Sequence, residues 1–178
     1  MKYKIIYADP PWSYNDKMSG HSFSLDHEYK TQSKNWISEL LRGGALLEKD
    51  CVLFLWAVSP LLPEAIEVMN SWGFKYKTVA FVWSKRTKNG KEVANLGRWT
   101  MGNVEMCLLG VKGKPKREIK NIRQLVVAER TKHSKKPDEV RKRIVELLGD
   151  LPRIELFARE KTPGWDVWGD EVVSDIVL

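Results

Sequence analysis

Near its amino terminus the chain reads Ile5-Ile-Tyr-Ala-Asp-Pro-Pro-Trp12, an apolar run that stops at two prolines. Residues 2–8 are rich in β-branched and aromatic side chains, which predicts a short buried strand. Pro10 and Pro11 cannot continue that strand, because each lacks the backbone N–H that a sheet needs. The strand therefore ends by bringing a carboxylate, two stiff carbonyl groups and an indole to one place. Ligands bind beyond the carboxyl ends of strands in open α/β sheets, so we expect the functional site here.

Predicted strands and helices alternate along the rest of the chain. Strand-like apolar runs occupy residues 51–56, 78–83, 104–111, 124–128 and 153–157. Helices are predicted from Ser33 or Asn35 to Leu46, from Pro60 or Pro63 to Gly73, and from Pro137 to Gly149. Polar stretches at residues 13–32 and 84–101 predict loops, the first of them mobile and lying over the site. The alternation predicts an α/β fold with a mostly parallel, doubly wound sheet, and residues 1–178 are expected to form a single domain.

The charge balance of the chain favours a polyanionic partner. The 178 residues include 30 Lys and Arg against 23 Asp and Glu, a formal net charge of +7. Basic runs at residues 84–91, 112–117 and 130–136 flank predicted strand ends, where they can contact phosphates. Cys51 and Cys107 lie in apolar runs without the spacing of metal ligands, so we expect no bound metal. The chain starts with a strand and contains no apolar stretch of membrane-spanning length, so we expect a cytoplasmic protein without a signal peptide.

The residues after the first strand suit the N6 amine of adenine. This amine is a poor nucleophile, because its lone pair is delocalised into the ring. The Asp9 carboxylate and a proline carbonyl can each accept one N6 hydrogen, which aims the lone pair at an electrophile. Trp12 can stack on the face of the base. We therefore predict that Asp9, Pro10, Pro11 and Trp12 are catalytic; the alternative is a strand-ending turn with a buried tryptophan.

Further motifs follow in a fixed order. They are Leu53-Phe-Leu-Trp56, Phe81-Val-Trp-Ser-Lys85, Glu105 with Cys107-Leu-Leu-Gly-Val-Lys-Gly113, Val127-Ala-Glu129, Lys136-Pro-Asp-Glu139, and Ile154-Glu-Leu-Phe157 with Arg159. Together with Tyr7-Ala-Asp-Pro-Pro-Trp12, they make nearly the whole chain resemble the DPPW-type N6-adenine methyltransferases. That family contains the catalytic subunit of the eukaryotic messenger-RNA adenosine methyltransferase and many small prokaryotic and phage DNA methyltransferases. The resemblance implies a Rossmann-like class I methyltransferase fold with the catalytic strand first and the cofactor strand last, the circularly permuted β-type order.

The cofactor half of the site is expected near the carboxyl terminus. The sequence has neither a G-x-G-x-x-G nor a Walker loop, so a dinucleotide or a nucleoside triphosphate is not indicated. S-adenosylmethionine, which the resemblance implies, needs a cation, an acceptor for its ribose hydroxyls and an apolar slot. Lys136, just before the predicted helix start at Pro137, can meet the carboxylate of the cofactor. The resemblance implies that the pocket also includes Ala8, Asp9, Pro137, Glu155, Phe157, Arg159 and Thr162.

Two departures from the family concern this cofactor. The family usually ends with an amide pair after a glycine, whereas Gly169 is followed here by Asp170 and Glu171. Carboxylates can accept ribose hydroxyls, so we expect both acids to bind the cofactor; the alternative is a pair of solvated side chains. An upstream acidic residue that contacts the cofactor's adenine in some relatives has no counterpart in this sequence.

The substrate is expected to be nucleic acid. The predicted substrate-binding residues are Tyr14, Lys85, Arg86, Arg98, Trp99 and Glu105, and the last three lie in a segment that resembles the family's substrate-facing loop. The target adenine must leave a duplex to reach Trp12, so base flipping or a single-stranded substrate is implied.

The expected activity is methyl transfer to adenine N6 in DNA by a prokaryotic or phage-encoded protein. The same reaction on RNA is the first alternative. A non-catalytic nucleic-acid-binding partner subunit is the second, although such partners in the family lose the Asp and Trp of the motif, and this chain keeps Asp9 and Trp12. Assembly as a homodimer or with a partner subunit stays open, and no membrane is expected as a partner.

Overall fold

A computed structural model of the chain describes residues 2–13, 15–16, 23–24, 32–96, 99–131 and 135–178. The strands in these ranges are β1 (Tyr3–Ala8), β2 (Asn15–Asp16), β3 (Phe23–Ser24), β4 (Leu47–Ala57), β5 (Lys75–Arg86), β6 (Val104–Lys112), β7 (Leu125–Glu129), β8 (Arg153–Leu156) and β9 (Asp166–Trp168). The helices are α1 (Lys34–Leu40), α2 (Leu62–Ser71) and α3 (Asp138–Leu148), and a short 3-10 helix (Ser59–Leu61) precedes α2. None of the helices that the structure describes is long and apolar enough to cross a membrane.

In the described part of the chain, seven strands form one sheet in the order β7-β5-β6-β4-β1-β8-β9. β1 runs parallel to both of its neighbours, β4 and β8. β6 is antiparallel to β4 and β5, whereas the β5–β7 and β8–β9 pairs are parallel. The prediction of an α/β fold with a mostly parallel sheet is confirmed, and the sheet agrees with a class I methyltransferase fold. The first strand of the chain lies beside β8, the strand predicted to serve the cofactor.

Helices cover both faces of this sheet. One core cluster joins α1 and α2 to one face, and a second joins α3 to the other. Successive residues of β1 alternate between them, because Ile6 and Ala8 belong to the first cluster while Ile5 and Tyr7 belong to the second. Burial on both faces explains why the strand reads as a nearly continuous apolar run rather than as an alternating one.

Several helix boundaries differ from those predicted. Ser33 caps α1 by accepting the backbone N–H of Trp36, but the helix ends at Leu40 rather than at Leu46. Gly43 and Gly44 follow with φ values of +88° and +65°, a left-handed backbone that stops the helix and that favours glycine. Pro60 lies in the 3-10 helix, so α2 begins only at Leu62. At α3, Pro137 is the residue before the helix rather than part of its first turn.

Several strands also differ from those predicted. β5 continues to Arg86, so Lys85 and Arg86 lie on a strand and not in the predicted loop. β8 ends at Leu156, one residue earlier than predicted. β9 is missing from the prediction, since its three residues are too few for a period-2 pattern to be recognised. Most of the predicted mobile loop at residues 13–32 lies outside the described residues.

Candidate active site

The chain makes a tight turn directly after β1. The backbone N–H of Asp9 still bonds to Leu156 O on β8 at 3.5 Å. The carbonyl of Pro10 accepts the N–H of Trp12 at 2.9 Å, and the carbonyl of Pro11 accepts the N–H of Gln32 at 2.8 Å. Each carbonyl oxygen keeps a second lone pair, because a backbone C=O can accept two hydrogen bonds. The turn is therefore held in place and can still offer acceptors to a ligand.

Three further charged residues extend the site from Asp9, and we call Asp9, Lys136, Glu105 and Lys85 the charge network. Lys136, just before α3, has its Nζ 2.6 Å from Asp9 Oδ2 and 3.3 Å from Glu105 Oε2. Lys85 on β5 forms an ion pair with the other oxygen of Glu105, which lies on β6. The side chains of Lys136 and Asp9 are only 9% and 21% exposed. Negative and positive groups thus alternate from the end of β1 across to β5.

Burial and neighbouring charges shift the pKa values in this network. Burial raises the pKa of the Asp9 carboxyl above its ordinary value, and the Lys136 ammonium offsets that only in part. Burial also favours a higher pKa for Glu105, but Lys136 and Lys85 outweigh it and lower the pKa of that carboxyl. Burial alone would lower the pKa of Lys136, yet Asp9 and Glu105 together raise it. Lys136 therefore stays charged, while the two carboxyl pKa values shift in opposite directions, that of Asp9 upward and that of Glu105 downward.

Trp56, the tryptophan near the end of β4, contacts several parts of the site. Its carbonyl accepts the indole N–H of Trp12 at 2.9 Å, and its own indole N–H donates to the hydroxyl of Tyr7 at 2.7 Å. The Lys136 ammonium lies 5.3 Å from the centre of its ring, within the range of a cation–π contact. Trp12 itself is only 7% exposed and packs in the core beside α1 and α2, which leaves little of its ring for the predicted stacking on a base.

A buried ion pair supports the strands beneath these residues. Arg141 of α3 donates from Nε and Nη2 to the two oxygens of Glu155 on β8, both at 2.7 Å. The guanidinium also lies 5.5 Å from the centre of the Tyr7 ring. Both oxygens of Glu155, predicted for the cofactor pocket, thus already accept hydrogen bonds from within the protein. A bidentate pair of this kind fixes α3 against β8.

Aromatic side chains gather at the carboxyl ends of β8 and β9. Phe157 turns the chain after β8 with a φ of +61°, which is rare for a residue with a bulky side chain. Its ring centre lies 5.5 Å from that of Trp168 and 6.3 Å from that of Trp36, and Trp36 stacks on Trp168 at 6.4 Å. Trp36 nevertheless remains 41% exposed. One aromatic face therefore stays available to a ligand at this edge.

The remaining predicted cofactor residues lie near the same edge. Arg159 Nε is 3.6 Å from Glu171 Oε1, and Asp170 is exposed. Thr162 is half-buried and its carbonyl accepts the N–H of Trp165 at 3.1 Å. Arg159 also acts on the Asp9 carboxyl, where its charge lowers the pKa. Arg159 thus lies close enough for its charge to act on the turn formed by Asp9, Pro10, Pro11 and Trp12, which we call the acid–proline turn.

The structure brings only some of the predicted substrate-binding residues to the site. Lys85 and Glu105 belong to the charge network, and Arg86 pairs instead with Glu92 at 2.7 Å. Trp99 is 97% exposed and makes no part of a pocket wall. The predictions for Tyr14 and Arg98 lie outside the described residues.

Three residues of this region were not predicted as site residues. Trp56 ends the strand predicted at residues 51–56, and a tryptophan at such a position usually packs in the core. Arg141 reads as a solvated charge on a helix, because its partner Glu155 is distant in sequence. Trp36 carries no sequence signal, since its ring partners lie near the other end of the chain, Phe157 just after β8 and Trp168 on β9.

A mostly parallel α/β sheet, with the acid–proline turn at the end of its first strand, agrees with the fold of a class I methyltransferase. Residues 3–171 match the MT-A70 family. This chain belongs to the MT-A70 family, so the resemblance stated from the sequence is confirmed.

Individual relatives in the family are of two kinds. The chain is 38% identical over 189 residues to the Type II methyltransferase M.MunI of a Mycoplasma species, with 96% of this chain and 78% of the relative covered. It is 28% identical over 176 residues to the human N(6)-adenosine-methyltransferase catalytic subunit METTL3, covering 96% of this chain and 28% of the relative. An N(6)-adenosine-methyltransferase MT-A70-like protein of Arabidopsis thaliana is 26% identical over 172 residues, with 94% and 23% covered. The chain thus spans most of the first relative and about a quarter of the other two.

Proposed function

We propose that this chain is an S-adenosylmethionine-dependent methyltransferase that transfers a methyl group to the N6 amine of adenine in DNA. The observation that carries the proposal is the acid–proline turn after β1, where the Asp9 carboxylate is held 2.6 Å from Lys136 beside the carbonyls of Pro10 and Pro11. This arrangement offers two kinds of acceptor at one strand end, which matches the two hydrogens of an exocyclic amine.

The residues of the turn account for activation of the amine. Asp9 and a proline carbonyl each accept one N6 hydrogen, which draws the nitrogen toward a tetrahedral geometry and aims its lone pair. On methylation N6 must lose one of its protons, and Asp9 is placed to accept it because burial raises the pKa of this carboxyl. Lys136 fixes the direction of the carboxylate by its short ion pair. The contribution of Trp12 is to anchor the turn through its bond to Trp56, with at most a narrow contact to the base.

The groups at the ends of β8 and β9 suit the proposed cofactor. S-adenosylmethionine, when bound, supplies the electrophilic methyl group. Arg159 offers a cation, Asp170 and Glu171 offer acceptors for ribose hydroxyls, and the exposed face of Trp36 beside Phe157 offers an apolar surface for adenine. Lys136 was predicted to bind the carboxylate of the cofactor; its bonds to Asp9 and Glu105 support a role in orienting Asp9 as well.

Two observations favour DNA over RNA. The chain is more similar to a type II methyltransferase, 38% identical, than to the human N(6)-adenosine-methyltransferase, 28% identical. It also spans 78% of the former and only 28% of the latter, which suits the small prokaryotic and phage DNA methyltransferases that the sequence resembles. The net charge of +7 suits a phosphate backbone of either kind.

Expression in a host without endogenous adenine methylation tests the proposal. Genomic DNA from cells that produce the protein should contain N6-methyladenine at a defined sequence, detected by mass spectrometry and modified-base sequencing. Cells that produce the Asp9→Ala variant at the same level should show none. Cofactor binding with no modified base in DNA or RNA would contradict the proposed activity of the chain on its own.

A further inference from the structure

Trp56 touches three elements of the proposed site through three different groups. Its backbone carbonyl holds the indole of Trp12 at 2.9 Å, which anchors the end of the acid–proline turn. Its ring lies 5.3 Å from the Lys136 ammonium, which itself is 2.6 Å from Asp9. Its indole N–H donates to Tyr7 on β1 at 2.7 Å, two residues before Asp9.

The ring of Trp56 is itself firmly placed. The side chain is 1% exposed and belongs to the core cluster on the α3 side of the sheet. Its hydrogen-bond partner Tyr7 is equally buried, with the Arg141 guanidinium 5.5 Å from its ring. A buried Trp N–H needs a partner, so the bond to Tyr7 fixes the orientation of the indole plane. That plane in turn forms a rigid wall for the Lys136 ammonium.

We propose that Trp56 is a positioning residue for methyl transfer, which holds Lys136 against Asp9 and anchors Trp12 at the end of the same turn. The proposal rests on the proposed function of the site. It differs from plain core packing in one respect: loss of the Trp56 ring should change the pKa of Asp9, because the ring packs against Lys136, the ion-pair partner of Asp9.

The direct test is Trp56→Leu, compared with Trp72→Leu as a matched control. Trp72 is also 1% exposed, and its indole N–H donates to the carbonyl of Ile37 at 2.9 Å, away from the charge network. The two variants therefore lose the same buried ring and one buried hydrogen bond each. Only the first loses a contact with Lys136.

Two readouts separate positioning from stability. Trp56→Leu should lower kcat by about tenfold while changing the KM for S-adenosylmethionine by less than about threefold, since a desolvated cation–π contact is of this size. In the protein without ligands, an NMR titration of labelled Asp9 should give a higher pKa than in the wild type, because Lys136 holds that carboxylate less firmly. The other groups that act electrostatically with Asp9 are Glu105, Arg159, Glu155 and Cys107, and the substitution leaves all of them in place.

Tyr7→Phe is the gentler second variant, since it removes only the hydroxyl that orients the indole. It should shift kcat and the Asp9 titration in the same direction as Trp56→Leu but by less. Wild-type values in both Trp56→Leu and Tyr7→Phe would overturn the proposal, as would equal changes in Trp72→Leu. A wild-type protein that transfers no methyl group would overturn the proposed function instead, while the Asp9 titration would still decide whether Trp56 positions Lys136.

Discussion

The two ends of the site differ in how far their side chains are already held in place in the protein without ligands. At the end of β1, the Lys136 ammonium lies 2.6 Å from Asp9 and 3.3 Å from Glu105, in a largely buried place. At the ends of β8 and β9, Arg159 and Glu171 are 3.6 Å apart, and their side chains are 29% and 56% exposed. Buried charges interact strongly and are costly to leave unpaired, whereas exposed pairs contribute little.

This difference predicts which substitutions should change turnover and which should change the affinity for a ligand. The charge network fixes the carboxylate before any ligand arrives, so substitutions there should change turnover and stability. The carboxyl-terminal edge offers hydrogen-bond acceptors and an exposed aromatic face, and a bound ligand completes this part of the site. Substitutions there should mainly change cofactor affinity and leave the protein's stability nearly unchanged.

The largest effect is expected for Asp9→Ala. Removal of the carboxylate deletes the acceptor that aligns the amine and takes its proton, so kcat should fall by about a thousandfold or more. Asp9→Asn should fail nearly as badly, because its amide oxygen can still accept a hydrogen bond but is too weak a base to take the proton from N6. Single-turnover methylation assays measure this, with circular dichroism as the control for folding. Turnover near the wild-type value in Asp9→Ala would refute the role assigned to this residue.

The next largest effect is expected for Lys136→Met. The substitution leaves Asp9 and Glu105 facing each other without the cation, which should destabilise the protein by about 3–5 kcal/mol at pH 8. The pKa of the Asp9 carboxyl should then rise further above its value in the unfolded chain, so the folded state gains protons as the pH falls. The deficit in the free energy of unfolding should therefore shrink toward pH 5, as denaturant titrations at both pH values would show. A deficit independent of pH would mean that Lys136 does not neutralise the two carboxylates.

A smaller effect is expected for Trp36→Ala at the other end. The loss of an aromatic face beside Phe157 should weaken S-adenosylmethionine binding by about tenfold, measured by calorimetry, with little change in melting temperature. Trp99→Ala is the control, because Trp99 is the more exposed of the two, at 97%. Equal cofactor affinity in the two variants would place the adenine of the cofactor elsewhere.

The smallest effect is expected for Glu171→Gln. Its ion pair with Arg159 is long and exposed, so the free energy of unfolding should change by less than about 1 kcal/mol. The same substitution keeps an acceptor for a ribose hydroxyl, so cofactor affinity should fall by less than about threefold. A loss of stability comparable to that of Lys136→Met would erase the contrast between the two ends.

The sequence predicted the parts of this arrangement that depend on local patterns. The apolar run before Pro10 identified β1, and the alternation of strands and helices identified the sheet. Short or irregular elements were missed, because β9 has too few residues for a pattern and the antiparallel direction of β6 leaves no trace in its apolar run. Tertiary structure, not local preference, decides those features.

The site was predictable only in its individual members. Asp9, Lys136 and Glu105 were each predicted as site residues, but Lys136 was assigned to the cofactor and its ion pair with Asp9 was not foreseen. A contact across 127 positions of sequence cannot be inferred from spacing. The pairing of Arg141 with Glu155 and the stacking of Trp36 on Trp168 could not be predicted for the same reason. Each of these residues is also what an ordinary helix or strand would contain at its position.

The most direct measurement of the central claim is transfer of a tritiated methyl group from S-adenosylmethionine to matched oligonucleotides. DNA and RNA of the same set of sequences, at equal salt, are incubated with the wild-type protein and with Asp9→Ala. The account predicts label on adenine N6 in DNA with the wild type, little or none on the RNA, and none on either with Asp9→Ala. Preferential labelling of the RNA would contradict the DNA assignment, and equal labelling by Asp9→Ala would contradict the chemistry proposed for the turn after β1.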